Sequence, residues 1–154
     1  MYQKDEYDVH YLIRNFPYIL GKEYNQLKLK HEKVYEDRTR SDFVFSNDHI
    51  SIVVEVKKGA INISMINQAT HYLDNEKKEN LTKILKGVLV GTLLKDSVTQ
   101  RLCDSDYPFE IKLLGIDIPI EVKLCDKCRK ANATISTTCV YCGSKKFIVD
   151  PFLF

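Results

Sequence analysis

The segment that decides the fold runs from residue 42 to residue 57 and reads DFVFSNDHISIVVEVK. Two runs of β-branched and aromatic residues flank Ser-Asn-Asp-His, in which Asn-Asp favours a turn, so the segment is predicted to form a β-hairpin. Side chains two positions apart lie on the same face of a strand. Glu55 and Lys57 are therefore expected to project together, while the aliphatic residues between and before them project to the opposite face.

Two carboxylates and a lysine are expected to converge at one end of this hairpin. A charged pair is costly to bury without a compensating partner, and Asp42 on the first strand is well placed to lie near Glu55 and Lys57. Carboxylates suit a hard divalent cation such as Mg²⁺, which keeps several waters and can present one to a phosphate. Considered alone, Glu55 and Lys57 would more simply be an ion pair at a sheet edge.

The remainder of the first 120 residues alternates between helical and extended patterns. The predicted elements are a helix at 5–20 ending near Gly21, a strand at 30–35, a helix from Asn62 or Ser64 to about Asn75, a solvated loop at 75–80, a strand within 84–94, a helix at 95–104 and a strand at 109–114. This order of helices and strands predicts an α/β fold.

The pattern Asp42-x₁₂-Glu55-x-Lys57 resembles the catalytic signature of the PD-(D/E)xK nuclease superfamily. Gln68 and Tyr72 match the Gln-x₃-Tyr helix motif that follows this strand in RecB-type and NucS-type members. Positions four apart share one face of a helix, so both side chains are expected to face the same side. With these five residues in order, the nuclease interpretation is favoured over the isolated ion pair.

The start of the chain carries the same resemblance. Residues 6–20 look like the first helix of NucS-like nuclease domains, and Arg40-Ser-Asp42 stands where those domains have Gly-Arg-Ile-Asp. The resemblance covers about residues 5–95. It implies a restriction-endonuclease-like core, with a central mixed sheet flanked by helices, and a Mg²⁺-dependent or Mn²⁺-dependent (endo)nuclease. DNA is the favoured substrate, with RNA as an open alternative.

The resemblance also implies roles for individual residues. Asp42, Glu55 and the carbonyl of Val56 would bind the catalytic Mg²⁺ or Mn²⁺. Lys57 would position the attacking water or stabilise the charge that develops on the phosphate.

Three further residues would complete such a site. Gln68 and Tyr72 would orient the substrate or the lysine, and Glu6 resembles the acid on the first helix of the family. The neighbouring acids Asp5, Asp8 and Glu23 compete with Glu6 for that role, and acids in a first helical turn often only complement the helix dipole. His10 and His71 are expected to be packed or solvated, without a role as ligand or base.

Residues 121–154 carry a second signal. Four of the five cysteines form two Cys-x-x-Cys pairs separated by ten residues, namely Cys125, Cys128, Cys139 and Cys142. This spacing resembles a zinc ribbon of about 28 residues, in which four sulfurs bind a structural Zn²⁺ tetrahedrally. Gly143 stands where such a turn needs positive φ, and residues 122–124 and 147–149 could pair as ribbon strands. Redox cysteines or an iron–sulfur cluster are the alternatives, although a redox pair would leave the second pair unexplained.

The charge distribution suggests a boundary near residue 120. The 154 residues contain 23 Lys or Arg against 21 Asp or Glu, a net charge of +2, which excludes a simple polycation that binds nucleic acid by bulk charge. The excess of positive charge lies after residue 120, so we predict a nuclease-like domain at 1–120 and a zinc ribbon at 121–154. Candidate phosphate contacts are Arg40, Lys127, Arg129, Lys130, Lys145 and Lys146. A solvated basic face is an equally good interpretation of the lysines.

The surroundings of the protein can also be predicted. No apolar stretch approaches the roughly 20 residues of a membrane span, and the first residues do not resemble a signal peptide, so we expect a soluble, intracellular, cytoplasmic protein that does not bind membranes. A homodimer or a protein partner of repair or replication type is compatible with the resemblance. The rival function is a non-catalytic nucleic-acid-binding or adaptor protein with a nuclease-like fold. The complete acidic set argues against it, because carboxylates repel phosphates unless a cation lies between them.

Overall fold

The computed structural model describes residues 6–119 and 122–148, with side chains from Val9 onward. The helices are α1 (Glu6–Asn15), α2 (Ile63–Glu79) and α3 (Asp96–Cys103), with 3₁₀ helices at Pro17–Leu20 and Lys22–Gln26. The strands are β1 (Lys28–His31), β2 (Phe43–Ser46), β3 (Ile50–Val56), β4 (Ala60–Ile61), β5 (Ile84–Gly91), β6 (Leu93–Leu94), β7 (Phe109–Leu113), β8 (Val122–Cys125), β9 (Ala131–Ala133) and β10 (Phe147–Ile148).

Five strands form the central sheet in the order β1-β2-β3-β5-β7. The pairs β1–β2 and β2–β3 are antiparallel, whereas β3–β5 and β5–β7 are parallel, so the sheet is mixed as predicted. The predicted hairpin is present between β2 and β3. Its turn is held by the side chain of Asn47, whose Oδ1 accepts from the N–H groups of His49 and Ile50 at 2.8 and 2.9 Å.

Helices cover both faces of this sheet. One face packs against α1 and the 3₁₀ helices, with Val9 and Ile13 contributing to the core. The other face packs against α2 and α3, where Ile66, Ala69 and Val98 are buried. Strand β3 is buried along nearly its whole length because both of its faces are covered. The result is the predicted α/β core with helices on either side of a mixed sheet.

The N-terminal region differs from the prediction in two places. The first α-helix ends at Asn15, and Pro17 begins a 3₁₀ helix, because proline lacks the N–H that would continue the α-helical hydrogen bonds. The strand expected at 30–35 is instead β1, at Lys28–His31. It ends there because Glu32 adopts a positive φ of 55°, which turns the chain out of the extended conformation.

The prediction of a loop at 75–80 was wrong, because α2 continues to Glu79. Glu76 is only 5% exposed and accepts a hydrogen bond from Lys33 Nζ at 2.5 Å, and Glu79 accepts from the same group at 2.6 Å. The charged residues therefore lie on a helix surface that packs against the segment after β1. Sequence alone could not reveal this partner, because Lys33 is 43 positions away from Glu76.

We expect Lys33→Ala to lower the free energy of unfolding by about 3 kcal/mol, because it would leave Glu76 buried without its cation. The Lys33 side chain is itself only 11% exposed. Glu79→Gln is the matched control: Glu79 is 49% exposed, so its loss should cost less than about 1 kcal/mol. Urea unfolding of both variants measures the two values, and equal losses would contradict the importance of the buried pair.

Residues 122–148 form a small three-stranded antiparallel sheet in the order β10-β8-β9. The predicted pairing of the two flanking strands is present, with Leu124 opposite Ile148, and β9 was not predicted. This unit packs on α1, where Leu12, Tyr18, Val122 and Ala131 form one apolar cluster. The Ala131 N–H also donates to the Tyr18 hydroxyl, and burial raises the pKa of Tyr18 to about 12. The predicted boundary stays a prediction, since residues 120 and 121 lie outside the described part.

None of the helices within residues 6–119 and 122–148 combines the length and the apolar character needed to cross a membrane.

Candidate active site and cysteine cluster

The two predicted acidic ligands lie side by side across the β2–β3 hairpin. Asp42 directly precedes β2, and Glu55 lies one residue before the end of β3. The backbone N–H of Asp42 donates to Glu55 Oε1 at 3.1 Å, and the backbone N–H of Val56 donates to Asp42 Oδ2 at 2.8 Å. Each carboxylate is thus held by a backbone N–H of the opposite strand, which keeps the two acids together.

Burial makes this arrangement electrostatically demanding. Glu55 is 6% exposed, and the Asp42 side chain is 24% exposed. Two neighbouring carboxylates with little access to water are costly to bury unless positive charge compensates them. Carboxylate oxygens are the ligands that hard divalent cations prefer, so this donor set fits Mg²⁺ or Mn²⁺. The Val56 carbonyl belongs to the residue that follows Glu55, at the end of β3.

Lys57 lies immediately after β3 and is half-buried. Its backbone N–H donates to the Val90 carbonyl at 2.9 Å, so the chain stays paired with β5 beyond the last residue of β3. Alternation along an extended chain therefore places Lys57 on the same side as Glu55. The shared side of Glu55 and Lys57 therefore stays a prediction, which this extended backbone pairing supports.

The two residues expected from α2 differ in their surroundings. Gln68 is exposed, whereas Tyr72 is buried and stacks on Tyr35, with ring centroids 5.8 Å apart. Burial raises the pKa of Tyr72, and the negative charges of Glu55 and Asp42 raise it further. Tyr72 therefore lies within electrostatic reach of both carboxylates, and it also has a packing role that sequence reasoning missed.

Two other predicted residues can be placed only in part. Arg40 is exposed two positions before Asp42, and its Nη1 lies 3.7 Å from Glu32 Oε2. Glu6 begins α1, but its side chain lies outside the described residues, so its role as the acid of the first helix stays a prediction.

Sequence reasoning missed one neighbour of the carboxylates. His10, on α1, has its Nε2 atom 3.9 Å from Asp42 Oδ2. The ring also packs against Phe43, with centroids 5.0 Å apart. The helical pattern indicated which face of α1 is buried, but it contained no signal that this face would meet the start of β2.

The four cysteines of the Cys-x-x-Cys pairs converge as predicted. Their four Sγ atoms all lie within 4.8 Å of one another. The Sγ atoms of Cys125 and Cys142 are 3.5 Å apart, and those of Cys128 and Cys139 are 3.6 Å apart. A disulfide would need about 2.0 Å, whereas zinc–sulfur bonds of about 2.3 Å place tetrahedral sulfurs about 3.8 Å apart. The cluster therefore fits a single tetrahedral metal ion such as Zn²⁺.

The ionisation of these thiols favours a cation among them. Burial raises the pKa of Cys139, but backbone N–H groups from Tyr141 and Cys142 outweigh it and hold that pKa at about 6. The N–H of Lys130 lowers the pKa of Cys128, whereas burial and the neighbouring sulfurs raise it to about 11. A thiolate at one position thus opposes ionisation at the next, and a bound cation relieves this conflict.

The turns around the cysteines resemble each other. Arg129 N–H donates to the Cys125 carbonyl at 3.0 Å, and Gly143 N–H donates to the Cys139 carbonyl at 2.9 Å. Both donors have positive φ, 62° at Arg129 and 79° at Gly143, which agrees with the expectation for Gly143. The αL conformation is unusual for arginine and common for glycine.

Asn132 on β9 supports the second turn and was not predicted. It is buried, its Nδ2 donates to Cys139 Sγ at 3.4 Å, and its Oδ1 accepts from the Val140 N–H at 2.9 Å. Partners of this kind orient metal ligands. Asn132 lies between the two cysteine pairs in sequence, and no motif spacing at that position could have identified it as a partner of the cluster.

The basic residues predicted to contact phosphates do not share one environment. The exposed ones are Lys127, Arg129, Lys145 and Lys146. Lys130 is half-buried, and its Nζ lies over the ring of Tyr141 at 4.8 Å and near that of Tyr18 at 5.9 Å. Lys130 therefore contributes a cation–π contact where the small sheet meets the 3₁₀ helix Pro17–Leu20.

No protein-family model matches this chain, and no curated protein matches it significantly. Its fold does match solved structures. The crystal structure of a repair endonuclease from Pyrococcus abyssi has a TM-score of 0.59 at 21% identity, and the match covers 73% of this chain and 49% of that one.

Two structures of EndoMS give similar matches. The complex of EndoMS with dsDNA has a TM-score of 0.57 at 17% identity, covering 73% of this chain and 48% of that one. The apo form has a TM-score of 0.53 at 16% identity, covering 74% and 48%. The present chain spans about half the length of these solved structures. Over 73–74% of its own length, the chain shares its fold with the matched half of the Pyrococcus abyssi repair endonuclease and of EndoMS.

Proposed function

We propose that this chain is a divalent-metal-dependent nuclease of PD-(D/E)xK type that hydrolyses phosphodiester bonds in DNA. The observation that carries the proposal is the joined pair of carboxylates, Asp42 and Glu55, in a fold shared with endonucleases. Two acids held together on a phosphate-cleaving fold are useful when a cation lies between them and the substrate. A binding protein gains nothing from presenting them to phosphates.

The acidic pair and the Val56 carbonyl would hold the cation, which activates a water molecule and neutralises charge on the phosphate when bound. Lys57 projects from the same side as Glu55 and stabilises the negative charge that develops on the phosphate oxygens. Its ammonium group can also orient the water by hydrogen bonding.

Residues of α2 would position the substrate around this centre. Tyr72 is fixed by stacking on Tyr35, so its ring offers a rigid wall beside the carboxylates. Gln68 is exposed on the same helix and can donate to or accept from the sugar–phosphate backbone. Glu6 would add a carboxylate from α1.

The cysteine cluster would hold a structural Zn²⁺ and give the protein a second surface for DNA. Its four cysteines leave no place for a substrate in the coordination shell, which is typical of structural zinc. The exposed lysines and Arg129 on this unit would contact phosphates, and Arg40 would do so beside the acidic pair. The EndoMS structure with dsDNA supports duplex DNA as the first substrate to test.

The proposal is tested with labelled single-stranded, duplex and branched DNA, together with duplex RNA. Each is incubated with the purified full chain in Mg²⁺, Mn²⁺ or EDTA. We expect cleavage of DNA that requires a divalent cation and stops in EDTA. Tight binding without cleavage of any of these substrates would instead favour the non-catalytic nucleic-acid-binding or adaptor function.

A further inference from the structure

A second group of metal-ligating side chains lies beside the acidic pair. His10 comes from α1, His31 is the last residue of β1, and Glu32 follows it. One nitrogen from each imidazole and one carboxylate oxygen of Glu32 lie within 4.8 Å of one another. His10 Nδ1 and His31 Nε2 are 3.1 Å apart. These three side chains share no residue with the acidic pair or with the cysteine cluster.

The fold holds these side chains in place. His31 is paired with Phe43 across β1 and β2 and stacks on its ring at 4.8 Å, and His10 packs on the same ring at 5.0 Å. Glu32 leaves the strand with φ of 55°, and its N–H donates to the Asp42 carbonyl at 2.7 Å. A backbone turn anchored in this way directs the carboxylate from the strand end back beside the imidazoles.

The second ring nitrogen of His10 lies near a carboxylate, whereas the first lies near His31. His10 Nε2 is buried and has no hydrogen-bond partner in the part of the chain that the structure describes. The Oδ2 atom of Asp42 lies 3.9 Å from it. A hydrogen on Nε2 is therefore favoured by the carboxylate charge, and this leaves a lone pair on Nδ1, directed towards His31. Metal-bound histidines commonly direct their second nitrogen to a carboxylate in this way.

The spacing of the two nitrogens fits a shared metal ion. Metal–nitrogen bonds of about 2.0–2.1 Å place two nitrogens about 2.9–3.4 Å apart at octahedral or tetrahedral angles. The observed 3.1 Å falls within this range. Two imidazoles and one carboxylate suit first-row transition metals such as Zn²⁺, Co²⁺ or Mn²⁺, whereas Mg²⁺ prefers oxygen ligands. The alternative is a direct hydrogen bond between the two imidazoles, with Glu32 paired only with Arg40, whose Nη1 is 3.7 Å from Glu32 Oε2.

We propose that His10, His31 and Glu32 form a transition-metal site that adjoins the acidic pair through Asp42. Glu32 is exposed, so an ion can enter from solvent and keep water on its open side. The site is separate from both the predicted Mg²⁺ ligands and the cysteine cluster. Its existence does not depend on nuclease activity.

The test is a Co²⁺ titration of the full chain after its cysteine cluster has been filled with Zn²⁺. A Glu55→Gln background weakens cation binding at the acidic pair. Calorimetry counts the ions bound, and visible absorbance identifies the ligands, since Co²⁺ bound to thiolates absorbs strongly in the near ultraviolet and Co²⁺ bound to nitrogen and oxygen does not. We expect one additional Co²⁺ with the weaker nitrogen–oxygen spectrum.

In that background, Glu32→Gln and His31→Asn should each weaken this binding at least about tenfold. His71→Asn is the matched control, because His71 also contacts an acid, Asp37 at 2.6 Å, but lies outside the cluster. Glu32→Gln is an exposed, isosteric change, so it remains informative even if His31→Asn disturbs folding. Absence of an additional Co²⁺, or unchanged affinity in Glu32→Gln, would overturn the proposal. This experiment measures metal binding and not DNA cleavage. Either result therefore leaves the nuclease proposal unaffected, because that proposal is tested separately by the cleavage assay.

Discussion

Glu55→Gln is expected to reduce metal-dependent DNA cleavage by at least about a hundredfold. The substitution keeps an oxygen at the position that accepts the Asp42 N–H, but it removes the charge that holds a cation. Asp42→Asn likewise keeps an acceptor for the Val56 N–H. Lys57→Ala should cause a similar loss by removing the positive charge that faces the phosphate. Initial rates on labelled duplex DNA at saturating Mg²⁺ measure each effect.

The chain contains its own control for this prediction, another Glu-x-Lys motif, at Glu110 and Lys112 on β7. Here the carboxylate is bound by lysines, with Glu110 Oε1 2.7 Å from Lys112 Nζ and Oε2 2.5 Å from Lys86 Nζ. Burial raises the pKa of Glu110, but hydrogen bonds from the two lysines lower it overall. This motif is an ion pair at a sheet edge. Glu110→Gln and Lys112→Ala should therefore leave cleavage within about twofold of wild type.

The pattern of effects decides between the two functions. If only the variants at positions 42, 55 and 57 lose cleavage activity, and their thermal unfolding is unchanged, the result would support a catalytic role for these residues. Wild-type rates in Glu55→Gln would show that the carboxylate pair only fixes the hairpin. Equal losses in the Glu55 and Glu110 variants would indicate a general effect on stability.

Removing the metal from the cysteine cluster is expected to unfold the region around β8, β9 and β10. Three short strands offer little apolar core, so the metal supplies most of the energy that orders them. Because this unit covers Leu12 and Tyr18 of the core, its unfolding should also lower the melting temperature of the whole chain. Hydrogen exchange should show loss of protection across residues 122–148, and metal analysis of the untreated protein should find at least one zinc per chain.

Cys139→Ser should reproduce the effect of metal removal, whereas Cys103→Ser should not, because Cys103 is exposed at the end of α3 and outside the cluster. Asn132→Ala should weaken zinc binding by about 10–100-fold through loss of its bond to Cys139 Sγ. Retained protection after zinc removal would contradict a structural metal. If the purified protein is coloured and contains iron, the cluster holds iron instead of zinc.

Several features of this protein were determined by short stretches of sequence. The β2–β3 hairpin and the two Cys-x-x-Cys turns depend on spacings of two to four residues. The backbone geometry of strands and turns converts such spacings directly into positions. The α/β order and the main elements of the central sheet followed from the same local periodicities.

Other features were decided only by the tertiary structure. The Glu-x-Lys motifs at Glu55 and Glu110 look equivalent in sequence, and only packing places the first beside Asp42 and the second between two lysines. The last turn of α2 and the contact between His10 and His31 depend on partners 43 and 21 positions away. Such contacts arise when helices pack on the sheet, and no local spacing encodes them.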